Sequence, residues 1–256
     1  MLNSPKPLVA FVQGDACGIG PELTAKLLAD EGVRRSAGVL VFSDRRVFEA
    51  GCKVAGISLD VEVVSSLDQV NLDAHPLTLL DVPGVDPAVV VPGEVSPAAG
   101  EAVLNCLGQA LDACNQGLLD GLFFTPFNKQ AMHLGGLEEE DETQFAKSRL
   151  GFDGRVSEFN VIEGMWNARV TSHVPLKDVA GLLSVEDIVA SVRLAHDTLK
   201  AAGFERPRIA VAALNPHAGD GGTIGREEIE VIAPAVEAAK AKQIACAGPF
   251  PSDTPM

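Results

Sequence analysis

Runs of hydrophobic residues alternate with segments of helical periodicity along most of this chain. A short continuous apolar run is typical of a strand buried on both faces, whereas apolar positions three and four apart predict an amphipathic helix. The runs predict strands at residues 7–12, 38–42, 61–64, 77–80, 118–124, 158–162, 168–171 and 208–213. The periodic segments predict helices at residues 21–30, 45–54, 96–116, 143–150, 185–202 and 225–242. This order, with its short connections, indicates an α/β fold built on a mostly parallel, layered sheet.

Two adjacent segments carry the clearest of these signals. Ser96 can cap the helix at 96–116, Pro97 suits its first turn, and Gly117 ends it. The apolar run at 118–124 follows at once. Because that run is continuously apolar, it predicts a strand with helices on both faces.

Composition and charge exclude several classes of protein. The 256 residues correspond to one large domain or two small ones, and 46% of them are hydrophobic, which is typical of a globular chain. With a formal net charge of −15, the chain lacks the basic balance that nucleic-acid binding needs. The five cysteines are scattered and odd in number, which fits a reducing compartment, and no apolar stretch approaches the length of a membrane span. We therefore expect a soluble, cytoplasmic protein with no nucleic-acid or membrane partner.

The first candidate for chemistry is a glycine-rich turn, GDACGIGPE at residues 14–22, directly after the first predicted strand. Gly18 and Gly20 allow close approach of a backbone, and the turn that they form with Asp15 can hold an anion on its amides. The spacing differs from the dinucleotide-binding pattern GxGxxG. A tight structural turn is the alternative interpretation, and a glycine cluster taken alone favours it.

The second candidate is the segment TPFNK at residues 125–129, at the expected carboxyl end of a strand. Ligands bind at that end of the strands in a parallel α/β sheet. Lys129 could neutralise a substrate anion or a developing enolate, and Asn128 could orient a hydroxyl group. The alternative is an ordinary loop with a surface lysine.

Two histidines form the third candidate. His173 and His217 each follow a predicted strand, at what should be the same edge of the sheet. Two neutral imidazoles at one cleft can ligate a divalent metal ion, and the glycines around His217 leave room for a ligand. Two histidines are one ligand short of a secure site, so a pair of buried, hydrogen-bonded histidines is the alternative.

Several segments together resemble the 4-hydroxythreonine-4-phosphate dehydrogenase family, known as PdxA. GDACGIGPEL resembles the family's GDPAGIGPE, TPFNK its T-x-P-x-N-K, TSHVPL at 171–176 its T-x-H-x-P-L, and LNPHAGDGGTIGREE at 214–228 its LNPHAGEGGxxGxEE. GPFPSDT at 248–254 is similar to the family's GPxPADT. The resemblance therefore covers essentially the whole chain, which we treat as one catalytic region at residues 1–256.

The resemblance implies a three-layer α/β/α fold like that of isocitrate and isopropylmalate dehydrogenases, with two interwoven subdomains around a cleft and a homodimer. It implies NAD-dependent oxidation of a secondary alcohol beside a carboxylate in a small-molecule substrate, followed by metal-assisted decarboxylation. A divalent cation (zinc, magnesium, manganese or cobalt) polarises the alcohol and stabilises the enolate, and nicotinamide takes the hydride. His173 and His217 match two of the family's three metal-binding histidines, and Thr143 and Asp253 fall among its substrate-binding positions.

The chain departs from the family pattern in two places. The substrate-binding motif GHTEF aligns with DETQF at residues 141–145, so Thr143 is kept and Glu142 stands where the histidine should be. The family also continues past the final Asp-Thr, through a segment with the third metal-binding histidine and a glycine-rich region that contacts NAD. We therefore expect the chain to lack its C-terminal segment and, as it stands, to be catalytically incompetent and prone to self-association.

The substrate is open within the family. A carboxylate at Glu142 would repel a phosphate group at contact distance. We therefore expect a non-phosphorylated cis-dihydrodiol carboxylate, of the terephthalate dihydrodiol type, and a role in aromatic catabolism. The alternatives are 4-hydroxythreonine-4-phosphate dehydrogenase activity in pyridoxal phosphate biosynthesis, and an inactive fragment that binds small anions at the turn around Gly18.

Overall fold

The computed structural model describes residues 6–252. The chain divides into two compact units, an N-terminal unit at residues 1–153 and a C-terminal unit at residues 154–256. Across the described residues, no helix is both long enough and apolar enough to cross a lipid bilayer.

A parallel sheet organises the N-terminal unit. Its strands are β1 (Leu8–Val12), β2 (Gly38–Ser43), β3 (Glu62–Val64), β4 (Leu77–Asp81) and β5 (Gly121–Phe124). Its helices are α1 (Gly20–Ala29), α2 (Glu31–Ser36), α3 (Arg45–Ala55), α4 (Pro97–Asn115), α5 (Lys129–Leu134) and α6 (Glu142–Arg149). All neighbouring strands run parallel, in the order β3-β4-β2-β1-β5, which confirms the predicted parallel sheet.

Helices cover both faces of this sheet. On one face, Phe11 of β1 packs in a buried cluster with Leu28 of α1 and Phe48 of α3. On the other face, Phe42 of β2 packs in a second buried cluster with Leu107 of α4. Because successive side chains of a strand point to opposite faces, the continuous apolar runs fill both layers. The N-terminal unit is therefore a three-layer α/β/α arrangement, as expected.

Polar side chains mark where several of these helices begin. Five residues accept a hydrogen bond from a backbone amide in the first turn of the helix that follows: Asp30, Asp44, Ser96, Asn128 and Asp141. Such caps satisfy amides that have no partner within the helix. The predicted cap at Ser96 is confirmed, since its Oγ accepts from the amide of Ala99 at 3.3 Å.

The strand predicted at 118–124 is shorter and more exposed than expected. β5 begins only at Gly121, because the chain first completes a turn after α4 in which the amide of Leu118 donates to the carbonyl oxygen of Ala113 at 3.0 Å. β5 pairs with β1 and lies at one end of the strand order of this unit. None of its four residues is fully buried. Leu122 nevertheless packs against the cluster of α4 and Phe123 against the cluster of α1 and α3, so the expected helices lie on both faces but leave this end strand half-buried.

Two separate pairs of strands occur in the C-terminal unit. β6 (Phe159–Ile162) and β7 (Met165–Ala168) form an antiparallel hairpin, and β8 (Ile209–Ala212) and β9 (Cys246–Phe250) pair in parallel. The helices are α7 (Val179–Leu182), α8 (Val185–Ala201) and α9 (Ala233–Ala241). Ile188 and Val192 of α8 pack with Val236 of α9 in the buried cluster of this unit.

Three predicted elements of the C-terminal unit differ from the structure. The strand predicted at 168–171 begins earlier, because Glu163 and Gly164 form the turn of a tight hairpin and β7 starts at Met165. The strand predicted as buried at 208–213 instead alternates between half-buried and exposed residues. The helix predicted at 225–242 begins with a π-helical turn at Glu228–Ile232 that continues into α9, and such a turn shifts the helical register by only one residue.

Helices α4 and α5 approach so closely at Gly100 that alanine is not accommodated there. A methyl group built on residue 100 lies 1.9 Å from the carbonyl oxygen of Ala131, a backbone atom. We predict that Gly100→Ala lowers the free energy of unfolding by about 1–3 kcal/mol, because the two helices must separate. Urea unfolding measures this loss. Gly121→Ala is the control, since its added methyl group meets no atom within 4 Å, and equal stability of the two variants would contradict the close approach.

Candidate active site

Two neighbouring strands of the N-terminal sheet are followed by helices on opposite faces. β1 leads into α1, which packs with α3, whereas β5 leads into α5, which packs with α4. Where the connections of adjacent parallel strands diverge in this way, a crevice forms outside their carboxyl ends and ligands bind there. The candidate site of the N-terminal unit is therefore at the carboxyl ends of β1 and β5.

The turn after β1 is joined directly to the loop after β5. The amide of Gly14 donates to Oγ1 of Thr125 at 2.7 Å, and the amide of Asp15 donates to the carbonyl oxygen of Pro126 at 3.2 Å. A Cβ at residue 14 would lie 2.3 Å from that carbonyl oxygen, so only glycine permits the contact. Two sequence segments more than a hundred residues apart thus form a single structural element.

Asp15 and the glycines beside it make contacts within this element. The Asp15 side chain is buried, and its Oδ1 accepts from the amide of Cys17 at 3.0 Å. The amide of Gly18 donates to the carbonyl oxygen of Asp15 at 3.1 Å, and Gly20 lies against the Thr125 side chain. These are the contacts of a structural turn. Anion binding at Gly18 stays a prediction.

Asn128 and Lys129 lie at the start of α5. Oδ1 of Asn128 caps the helix by accepting from the amide of Ala131 at 3.0 Å. The Nδ2 group of the same side chain is the end that can donate to a ligand. Lys129 is the first residue of the helix, and about half of its side chain is exposed.

The structure brings Lys129 together with Glu142. Nζ of Lys129 lies 3.4 Å from Oε2 of Glu142, whose side chain is only 20% exposed. That Oε2 atom is buried and accepts no hydrogen bond of regular geometry within the described residues, so the ion pair offsets its charge. Asp141 holds the start of α6 by accepting from the amide of Gln144 at 2.9 Å. Two residues predicted from separate motifs are therefore partners.

Thr143 follows Glu142 in the first turn of α6 and is half-buried. Phe145 anchors this helix on the buried cluster between α4 and α5. At the other end of the helix, Arg149 donates two hydrogen bonds to the Asp112 carboxylate of α4, at 3.0 and 2.6 Å. Contacts at both ends of α6 thus fix Glu142 and Thr143 relative to α5.

Asp44, at the carboxyl end of β2, is a buried carboxylate that the sequence interpretation missed. It accepts from the amide and the guanidinium group of Arg46 and, at 3.1 Å, from the amide of Gly84. Burial by itself would raise the pKa of Asp44, but these hydrogen bonds outweigh it and lower the pKa to about 2. An aspartate directly before a helix is a capping signal, and that signal could have found this residue.

His217 lies on a left-handed turn in the C-terminal unit. Six successive residues after β8, from His217 to Gly222, have positive φ angles, with φ of 53° at His217 itself. Residues other than glycine rarely adopt this backbone conformation, because their Cβ atom crowds the carbonyl oxygen. The turn presents His217 on the exposed side of its loop.

His173 does not lie where the sequence predicted it. The expectation was that both histidines follow strands of one sheet and share its edge. Instead, His173 follows an irregular segment after β7, which belongs to the β6–β7 hairpin, whereas His217 follows β8 in the other pair of strands. The shared sheet edge was therefore wrong, and joint metal binding stays a prediction without it.

A buried carboxylate lies beneath the left-handed turn. Glu228, which is 3% exposed, accepts from the amides of Leu214 and Asn215 and from the Asn215 side chain. Burial by itself would raise the pKa of Glu228, but the hydrogen bonds from Asn215 and Leu214 outweigh it and lower that pKa. The resemblance to LNPHAGEGGxxGxEE contained this glutamate without indicating its contacts.

Two expectations from the sequence stay predictions, namely the metal site and the binding of substrate by Asp253. Among the described residues, no group of three or more histidine, cysteine, aspartate or glutamate side chains is arranged to hold a metal ion. Asp253, predicted to bind substrate, lies outside the described residues.

Comparison with known proteins places the chain among dehydrogenases. A family model described as pyridoxal phosphate biosynthetic protein PdxA matches residues 35–256. A protein of Rhizobium meliloti (strain 1021) named "Putative 4-hydroxythreonine-4-phosphate dehydrogenase 2" is 48% identical over 97% of this chain and 72% of its own length. D-threonate 4-phosphate dehydrogenase of Cupriavidus necator is 32% identical over 97% of this chain and 74% of its own length.

Solved structures show the same likeness. The crystal structure of 4-hydroxythreonine-4-phosphate dehydrogenase from Klebsiella pneumoniae matches 99% of this chain and 76% of its own, with a TM-score of 0.87 and 29% identity. Terephthalate 1,2-cis-dihydrodiol dehydrogenase from Burkholderia xenovorans LB400 matches 97% of this chain and 74% of its own, with a TM-score of 0.63 and 25% identity.

Asp44 gives the stability of the chain a defined pH dependence. Because its pKa in the folded chain is about 2, below the ordinary value of 3.8, folding favours the charged form. The stabilisation is therefore present above the ordinary pKa and is lost as the pH falls through about 2. We predict that Asp44→Asn is less stable than wild type by about 2 kcal/mol near neutral pH, and that the gap narrows as the solution is acidified.

Unfolding by urea at a series of acidic pH values measures this gap. Asp60→Asn, at an exposed position, is the control and is expected to follow the wild-type curve. A constant difference between Asp44→Asn and wild type across the acidic range would show that the Asp44 charge is not the cause.

Proposed function

The chain belongs to the PdxA family and is a dehydrogenase, and we propose that it oxidises the secondary alcohol of a small 4-phosphorylated hydroxy acid. 4-Hydroxythreonine 4-phosphate and D-threonate 4-phosphate, for which the relatives are named, define this substrate class. Each carries a carboxylate at one end and a phosphate at the other, so the site must neutralise anions at two points.

The comparisons support the alternative substrate class rather than the one expected first from the sequence. The preference for a non-phosphorylated dihydrodiol is not supported, since the relatives are named for phosphorylated substrates and the dihydrodiol enzyme superposes less well than the phosphate enzyme. The chain covers between 72% and 76% of the length of the relatives and structures that it matches. The inactivity and self-association expected from the sequence stay predictions.

The ion pair between Lys129 and Glu142 is the observation that carries the proposal. A carboxylate at Glu142 without a compensating cation would repel a phosphate group. Because Nζ of Lys129 lies 3.4 Å from Oε2 of Glu142, the net charge of the two side chains together is close to zero rather than negative. The lysine is about half exposed and the glutamate mostly buried, so the cation is the group that an arriving anion meets first.

Neighbouring groups supply the polar contacts that orient a substrate. Asn128 uses its oxygen to cap α5 and so presents Nδ2 as a donor. The Thr143 hydroxyl group, beside Glu142, can donate and accept. Such fixed donors lower the cost of aligning a bound hydroxy acid, because the helix contacts around them are made before the substrate arrives.

We propose NAD(P) as the hydride acceptor and a divalent metal ion as the partner of the alcohol oxygen. His173 and His217 are the residues that would hold the ion, since both carry exposed imidazole groups with nitrogen donors suited to divalent metals. When bound, the ion lowers the energy of negative charge on the substrate oxygen. The homodimer implied by the resemblance stays a prediction.

A substrate panel tests this function. The full chain is supplied with NAD+ or NADP+ and a divalent cation, and the reduced nicotinamide is followed by absorbance. We expect turnover of 4-hydroxythreonine 4-phosphate or D-threonate 4-phosphate with kcat/KM at least about tenfold above that of a non-phosphorylated dihydrodiol carboxylate, as expected for loss of a charged contact. Turnover of the dihydrodiol alone would overturn the proposal.

Substitution of Lys129 tests the residue that carries the proposal. We predict that Lys129→Ala raises KM for the phosphorylated substrate about tenfold, because one charge-assisted contact to an anion is lost. Glu142→Gln is expected to lower that KM, since it releases Lys129 from its ion pair. Lys240→Ala, which removes the lysine of a surface pair with Glu237 at 2.8 Å, is the matched control and should leave KM unchanged. An unchanged KM in Lys129→Ala would remove Lys129 from the site.

A further inference from the structure

We infer that Glu228 is a positioning residue, whose buried carboxylate holds the left-handed turn at residues 217–221 and so sets the orientation of His217. The inference rests on the proposed function only for the task of His217. The contacts of Glu228 itself stand independently of any ligand.

The carboxylate of Glu228 joins two elements that flank the turn. Its Oε1 accepts from the amides of Leu214 and Asn215, at 2.9 and 2.7 Å, directly after β8. Its Oε2 accepts from Nδ2 of Asn215 at 2.9 Å. Glu228 is itself the first residue of the π-helical turn, so a single side chain links the entry to the left-handed turn with the helix that follows its exit.

The turn needs such support because its backbone is costly. His217, Ala218 and Asp220 all have positive φ angles, between 44° and 55°. Each residue of this kind is less stable than in its ordinary conformation and persists only where the surroundings determine it. Backbone hydrogen bonds close the turn: the amide of Ile224 donates to the carbonyl oxygen of Gly219 at 3.1 Å, and the amide of Ala218 donates to the carbonyl oxygen of Asn215 at 3.2 Å. Glu228 adds the side-chain link between the segment after β8 and the helix that follows the turn.

Burial explains why a carboxylate serves here. Glu228 is 3% exposed. Without its carboxylate, the two backbone amides that donate to it would lose their hydrogen-bond acceptor, and an unpaired amide is costly. A charged acceptor forms stronger hydrogen bonds to amides than a neutral one. The neighbouring Glu227 also accepts from Asn215, at 2.7 Å, and this second bond orients the asparagine amide toward both acids.

Hydrogen exchange of the full chain, read amide by amide, tests the inference. We expect Glu228→Ala to speed exchange at Leu214, Asn215 and the amides of 217–222 about tenfold, while α8 and α9 keep their wild-type protection. Glu228→Gln should restore protection at Leu214 and Asn215, because its amide oxygen still accepts from both. Glu230→Ala, in the same helical turn but exposed and paired with Arg226, is the control without effect.

Titration with Mn²⁺ alone provides the second measurement. We expect Glu228→Ala to weaken Mn²⁺ binding about tenfold and Glu230→Ala to leave it unchanged, since the imidazole of His217 loses its fixed orientation. Unchanged exchange at the turn, or exchange raised equally throughout α8 and α9, would overturn the inference. A wild-type chain that binds no Mn²⁺ would contradict the metal in the proposed function, and the exchange result would still decide the role of Glu228.

Discussion

Backbone amides that leave the carboxyl ends of strands need acceptors, and buried side-chain oxygens supply them in this chain. Thr125 accepts from an amide after β1, Asp44 accepts from one amide after β2 and one after β4, and Glu228 accepts from two amides after β8. Leaving such an amide unpaired costs about 1–3 kcal/mol, so each loop is restricted to conformations that reach its acceptor. The loops that follow these strands are therefore fixed by buried side-chain oxygens.

The charged side chains of the N-terminal candidate site are paired in the same way. A lone carboxylate at Glu142 would exclude phosphorylated substrates, and the sequence presents it as lone because Lys129 stands in a different segment. The fold places the two in contact, since α5 and α6 both pack on α4. The identity of a residue thus predicts its charge, whereas its effect on a substrate depends on a neighbour that only the tertiary structure reveals.

The sequence predicted local features well and long-range ones poorly. Continuous apolar runs and the cap at Ser96 identified the parallel strands and the long helix α4, because those signals lie within one segment. β5 is exposed because it lies at the end of its sheet, and β7 and β8 belong to different sheets. Both facts depend on which strands pair with one another, which the sequence of a single strand does not determine. The motifs identified Lys129, Glu142 and both histidines, but not Asp44 or Glu228, whose roles come from amides elsewhere in the chain.

The two histidines share one property that their strands do not explain. His173 and His217 have φ angles of 55° and 53°, and within the described chain only three other non-glycine residues have positive φ. Two of those three, Ala218 and Asp220, belong to the turn of His217 itself. Strained backbone persists where the surrounding contacts determine it, and such residues cluster at functional sites. The structure lacks the shared sheet edge from which a joint role of these imidazoles was expected. The shared and costly backbone conformation of the two histidines supports that role instead.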